Sequence, residues 1–131
     1  MNTRNTENIL IVGAGGHAKV VVDALYSEYP KLENLFITDD NTSRQGTEFM
    51  GLKITTPISG SLSLMCLLNA NTSYHIAIGD NHTRQDIFAK YFKGIDGLSL
   101  LSVIHPAATI SKFAVINAGC FIAAQAIIGP K

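Results

Sequence analysis

Charge is scarce in this 131-residue chain: Asp, Glu, Lys and Arg make up 15% of it, against roughly 25% in an average soluble domain. Neither sign is in excess, since 10 Lys+Arg stand against 10 Asp+Glu. Binding nucleic acid by bulk charge needs a basic surplus to neutralise phosphates, so that class is excluded. An acidic disordered chain is excluded as well, because apolar residues reach 47%. Long apolar runs are lacking: none approaches the ~18 residues of a membrane span. The polar start, residues 1–8, leads at once into a strand, which does not fit a secretory signal. Cysteine is limited to Cys66 and Cys120, too far apart for metal or redox spacing, and they point to a reduced cytoplasmic setting. No metal-ligand spacing, Ser/His/Asp order or paired acid/base carboxylates can be assembled, so no metal is expected. The length suits one domain and falls short of two.

What is present is an alternation of short β-rich runs with helical stretches. Asn8 to Val12 (NILIV) reads as a buried strand. A helix from about His17 to Tyr29 follows, with Val21, Val22 and Leu25 at helical spacing and Pro30 closing it. Leu35 to Ile37 reads as a second strand, residues 41–51 as a polar loop, and Leu52 to Thr55 as a short strand. Ser61 to Leu68 reads as a helix and Tyr74 to Ile78 as another buried strand. His82 to Phe92 reads as a helix capped by Asp80 or Asn81, its inward face holding Ile87, Phe88, Tyr91 and Phe92. Leu98 to Ile104 reads as one further strand. Such alternation predicts an α/β layer around a parallel sheet.

From Ile104 onward the pattern changes. The chain divides into sixes: IHPAAT, ISKFAV, INAGCF, IAAQAI and IGPK. Isoleucine opens every unit, and alanine or cysteine fills the fifth place of each complete one. That period is the hexapeptide signature of a β-helix, whose stacked repeats bury an aliphatic residue at a fixed offset. Two ordinary strands are the competing reading, but a strand alternates by two rather than six. Residues 104–131 carry only Lys112 and Lys131 as charges, which suits a segment that packs against something.

Three places could carry chemistry. Gly13-Ala14-Gly15-Gly16-His17-Ala18 lies between a strand and a helix, where G-x-G-x-x-A forms a phosphate loop. Gly13 allows the tight turn, Gly15 lets backbone N–H groups approach an anion, and the helix offers its positive end. A glycine turn that binds nothing fits the same residues. Asp39 and Asp40 follow the second strand about 20 residues on, where a carboxylate can accept from ribose hydroxyls; a solvated turn is the alternative. Gly79, Asp80 and Asn81 follow the strand at Tyr74 on the same carboxyl edge, as a ligand loop or a helix cap. His17 could meet a phosphate or sugar, or simply lie on the surface. His75 reads as a packed or surface histidine, His82 as solvated, and His105 as a turn residue before Pro106. Both cysteines read as core.

Taken together, IVGAGGHAKVVVDAL, FITDD, HIAIGDN with Arg84 three positions on, and IHPAATIS followed by hexads resemble one family. It is the bacterial sugar acetyltransferases of the sialic-acid and bacillosamine pathways. The resemblance implies a small Rossmann-like domain, residues 1–103, that holds the UDP part of a UDP-amino-sugar. It implies that residues 104–131 begin a left-handed β-helix, truncated after one to two coils. Gly13, Gly15, Gly16 and His17 would match the family's nucleotide loop, Asp39 and Asp40 its acidic pair near the uridine, and Gly79, Asp80 and Asn81 its second substrate loop. The family's catalytic base is a histidine in a later coil, within a stretch resembling V-x-H-x-C or V-D-H-D, and is expected after Lys131. The acetyl-CoA site and the homotrimer core would also lie there, leaving this portion able to bind substrate but inactive. Two other readings stand beside it: an NAD-binding oxidoreductase fragment, and a non-catalytic module that self-associates through residues 104–131.

Overall fold

The structure, a computed structural model, describes residues 8–67 and 72–130. The polar start, Leu68 at the end of the expected second helix, and Lys131 lie outside the described residues. Strand β1 is Asn8–Val12, helix α1 Gly16–Glu28 and strand β2 Leu35–Thr38. Strands β3 (Glu48–Phe49) and β4 (Leu52–Thr56) precede helix α2 (Ser61–Leu67). Strand β5 (Thr72–Ile76) leads to helix α3 (Asn81–Ile87), which widens into a π-helical turn over Phe88–Phe92. Five two-residue strands close the chain: β6 (Ser99–Leu100), β7 (Val103–Ile104), β8 (Thr109–Ile110), β9 (Phe121–Ile122) and β10 (Ile127–Ile128).

The main sheet runs β3-β4-β2-β1-β5-β6, parallel throughout except for the β3–β4 hairpin. The expected α/β class with a parallel sheet is what forms. Strand β1 lies at the centre, and successive side chains of a strand face opposite ways. Ile9 and Ile11 therefore meet Val21, Val22 and Leu25 of α1 on one face. Leu10 and Val12 meet Met65, Tyr74, Ile76 and Phe92 on the other. A strand covered on both sides favours a near-continuous apolar run, which is why Ile9 to Val12 do not alternate. Burying each such side chain contributes about 1.5–3 kcal/mol, and four of them, Ile9 to Val12, have no exposed surface at all.

Three sequence readings need correction. The loop read over residues 41–51 contains β3, because Met50 (φ 50°) and Gly51 (φ 82°) make the tight two-residue turn that a hairpin needs. Strand β5 begins at Thr72, two residues earlier than expected, since Thr72 and Ser73 are buried beside Asn8 and Ile9 despite their polarity. The single strand read over Leu98–Ile104 is two strands in two sheets. Leu101 donates its N–H to Tyr74 O at 2.7 Å and the chain then leaves the main sheet. Ser102 Oγ donates to Asn117 O at 2.7 Å and accepts from Cys120 N at 3.1 Å, which locks the departure.

Beyond Leu101 the hexads stack on one another. Val103 N–H donates to Cys120 O, His105 to Ile122 O, Thr109 to Ala126 O and Ser111 to Ile128 O, at 2.8–2.9 Å. Strand β7 pairs in parallel with β9, and β8 with β10, so each residue meets one three hexads later. This first turn is not detached from the sheet. Val103 is fully buried in the α1-side core, with Leu101, and Phe121 packs against that core.

Candidate functional site

Three loops meet at the carboxyl edge of the sheet, after β2, β1 and β5, which are neighbours in that order. Strands β2 and β5 flank β1 on opposite sides, so connections diverge here and leave a crevice of the kind that collects ligands in open α/β sheets.

The glycine loop follows β1. Gly13 has φ +105° and donates its N–H to Thr38 O at 2.7 Å, so the loop is stitched to the end of β2. A Cβ at Gly13 would lie 2.9 Å from Ile78 Cγ1 and 3.2 Å from Ala77 O, leaving no room for a side chain. Gly15 and Gly16 are exposed, with nothing within 4 Å of an added Cβ, so their surroundings are open to a ligand. Helix α1 starts with no side-chain cap on Gly15. Its first N–H groups keep their partial positive charge, suited to an anion.

The acidic pair divides its work. Asp39 Oδ1 accepts from Ala14 N at 2.9 Å, and its Oδ2 from Asn41 N at 3.1 Å. Arg44 donates to Ala14 O while its guanidinium lies over the Phe49 ring, 5.9 Å from the centroid. Both polar groups of the residue between Gly13 and Gly15 are therefore clasped, one by a carboxylate and one by a guanidinium. Asp40 Oδ1 accepts from Ile58 N at 2.8 Å. Asp40 also borders a separate crevice of about 280 Å³ with Thr83, Asp86, Lys90 and Tyr91.

After β5, Asp80 Oδ2 accepts from Thr83 N (2.8 Å) and Thr83 Oγ1 (2.7 Å), which caps α3 and holds the exposed carboxyl below its usual range. Arg84 donates to Ile78 O at 2.9 Å and to Asn81 Oδ1, and so folds back over the loop. Gly79 lies against His17, whose Cβ would be 3.5 Å from an added Cβ.

These groups enclose a cleft of about 460 Å³ lined by His17, His75, Ile76, Gly79, Asn81, Arg84 and the stretch Gly119 to Phe121. One wall is the sheet edge and the other the first hexad turn. His17 stands edge-on to Phe121, ring centroids 5.3 Å apart. Burial first, and then the Arg84 charge, holds the His17 imidazole below its ordinary value. His75 is buried, with Nδ1 2.8 Å from Leu101 O.

Of the sequence-predicted residues, His17, Gly79 and Asn81 come together in this cleft. Gly13, Gly15 and Gly16 form the loop beside it. Asp39 and Asp80 act through the backbones they hold, and Asp40 faces the second crevice. Sequence reasoning passed over His75, Cys120 and Phe121 as cleft residues, and Arg44 as a clasp. Only the position of Arg84 after IGDN carried a signal. His105 Nδ1 accepts from Ala107 N at 3.0 Å, the turn role expected of it. Cys66 is exposed on α2 rather than core, because that face of the helix turns outward. His82 is exposed and lies 3.4 Å from Asp86. Among the described residues no group of three metal-ligating side chains exists, and no helix is long and apolar enough to cross a membrane.

Comparison with known proteins places the fold. Residues 8–91 match the family described as the PglD N-terminal domain. Over 120 residues the chain is 33% identical to UDP-N-acetylbacillosamine N-acetyltransferase of Bacillus subtilis (strain 168), covering 90% of this chain and 52% of that protein. The acetyltransferase domain of PglB from Neisseria gonorrhoeae FA1090, solved with acetyl coenzyme A, superposes with a TM-score of 0.74 at 28% identity, over 92% of this chain and 55% of that one. PerB from Caulobacter crescentus, solved with CoA and GDP-perosamine, gives 0.73 at 29%, over 94% and 54%. The chain spans about half the length of the relatives it matches.

Proposed function

Since the chain belongs to the PglD N-terminal domain family, we propose that it is the nucleotide-sugar-holding part of an acetyl-CoA-dependent sugar N-acetyltransferase. Residues 1–103 form the nucleotide-sugar domain and residues 104–131 open a left-handed β-helix. The observation that carries this reading is the glycine loop. Its exposed Gly15 and Gly16 and the uncapped start of α1 run directly into His17, which lines the cleft that reaches the first hexad turn. A diphosphate on those N–H groups leaves one end of the ligand toward the acidic pair and the other toward the cleft.

In this reading Gly13, Gly15, Gly16 and His17 line the diphosphate, and Asp39 shapes the loop. Asp40 faces the nucleoside, and Gly79, Asp80 and Asn81 form the sugar side. Holding the sugar presents its amine to an acyl thioester, turning a bimolecular encounter into a positioned one. On this reading the acetyl-CoA site, the general-base histidine and the core of a homotrimer would lie after Lys131. The amine would lose its proton to that base as it attacks the thioester carbonyl. A cytoplasmic setting accompanies the reading.

Calorimetric titration of the chain tests it. UDP and UDP-N-acetylglucosamine should bind while NADH does not, with GDP and GDP-mannose as the arm for a purine-specific site. Binding of NADH in place of either nucleotide would establish the oxidoreductase reading instead.

A further inference from the structure

His75 has only 1% of its surface exposed, yet it borders the cleft. Its Nδ1 lies 2.8 Å from the carbonyl oxygen of Leu101. A carbonyl can only accept, so Nδ1 carries the proton and donates it. In a neutral imidazole the other nitrogen then has a lone pair and no hydrogen. Burial, above all, keeps this ring neutral; His17 and Arg84 push in the same direction, and only the bond to Leu101 opposes them. No side-chain nitrogen among the described residues is both sealed from solvent and unpaired, so Nε2 keeps access to open space, and the cleft is open space that His75 lines. The tautomer is thus fixed by the backbone at the point where the chain leaves the sheet.

We propose that His75 is a specificity-determining residue whose Nε2 accepts a hydrogen bond from a hydroxyl of the sugar in a bound nucleotide sugar. The inference rests on the nucleotide-sugar reading given above. Phosphate is the wrong partner for Nε2: diphosphate oxygens carry no proton at neutral pH and would face a lone pair. Anions are better met by the first N–H groups of α1 and by Arg84. The order of the strands assigns the rest. The acidic pair ends β2, the glycine loop ends β1, and His75 lies on β5, so a ligand with its diphosphate at the loop and its nucleoside over β2 puts its sugar over β5. An acceptor buried on the cleft wall strongly favours a ligand that supplies a donor, because a ligand without one leaves the group unpaired.

The test uses UDP, UDP-N-acetylglucosamine, and analogues of the latter with single sugar hydroxyls replaced by fluorine, which cannot donate. Titrated calorimetrically into the wild-type chain, one fluoro analogue should bind about tenfold more weakly than its parent. In His75→Phe the parent should weaken to match that analogue, with UDP affinity unchanged. His75→Gln, which keeps an acceptor and a donor, serves if the phenylalanine variant does not fold. Nitrogen NMR of the wild-type chain needs no variant. It should show His75 protonated at Nδ1, with the Nε2 resonance shifting on addition of UDP-N-acetylglucosamine and staying in place with UDP. If UDP-N-acetylglucosamine binds while every fluoro analogue matches it and the Nε2 resonance stays still, the role of His75 is overturned and the nucleotide-sugar reading survives. If neither nucleotide binds, that reading fails and takes this one with it.

Discussion

The carboxylate of Asp39 holds the peptide N–H of Ala14 at 2.9 Å across 25 positions of sequence. An acid at the end of β2 thereby sets the shape of the loop at the end of β1, and Arg44 fixes the other side of the same residue. Negative charge beside a phosphate loop looks unfavourable until the carboxylate is seen to be occupied by two backbone donors.

Removing that clasp should weaken nucleotide binding more than it weakens the fold. Hydrogen bonds to a charged group are worth about 1.5–3 kcal/mol. Asp39→Ala should therefore cost roughly tenfold or more in UDP affinity. Asp39→Asn keeps an acceptor for Ala14 and should fall between the two. Calorimetry on the three proteins checks the order.

Gly13 and Gly15 should respond oppositely to the same substitution. Gly13→Ala forces a side chain into φ +105° and against Ile78 and the Ala77 carbonyl, a strain of about 1–3 kcal/mol that a urea midpoint will register. Gly15→Ala meets nothing within 4 Å and should change stability by less than about 0.5 kcal/mol. It should nonetheless lower UDP affinity, because the methyl group occupies the approach to the helix start.

Acid should loosen this protein through His17 and His75. Both have folded-state values held below the ordinary 6.5. As pH falls through about 6.5, the unfolded chain takes up protons that the folded one refuses, so stability drops until the folded values are reached. Stability should therefore rise with pH across the window just below 6.5. Melting temperature measured from about pH 5 to pH 7 should slope upward, and less steeply in His75→Phe.

The first hexad turn should matter to the sheet domain. Val103 has no exposed surface and Ile122, in the strand paired with it, only 7%. Ile122→Ala should cost about 2–4 kcal/mol, read from urea unfolding with a single transition. A second, independent transition that alone carried the loss would show the hexad turn to be separately folded.

Much of this was written in local pattern. NILIV followed by GAGGHA carries its own strand, turn and helix start, and five isoleucines recur at a spacing of six where β7 pairs with β9 and β8 with β10. The family resemblance drawn from those stretches agrees with the match over residues 8–91. Other features depend on distance along the chain. Arg44 reaches Ala14 across 30 positions from a segment that reads as polar loop. Thr72 and Ser73 look like surface residues until β1 is laid beside them. The break within Leu98–Ile104 hinges on one hydroxyl, that of Ser102, whose partners Asn117 and Cys120 lie 15 and 18 positions further along the chain. His75 sits inside an apolar run, where nothing local tells a packed ring from one that borders a cleft.

Leu101 carries one further consequence, for rates. Its N–H is held by Tyr74 O at 2.7 Å and its carbonyl by the His75 ring at 2.8 Å. The segment that goes on to form the far wall of the cleft thus leaves the end of β6 from a residue clamped to β5. In enzymes whose sites are completed by a lid, capture waits on a closing motion in the microsecond to millisecond range. Here hydrogen bonds through Leu101 tie the two walls together before a ligand arrives. Capture should accordingly be a single step, its observed rate rising in proportion to ligand concentration without levelling off.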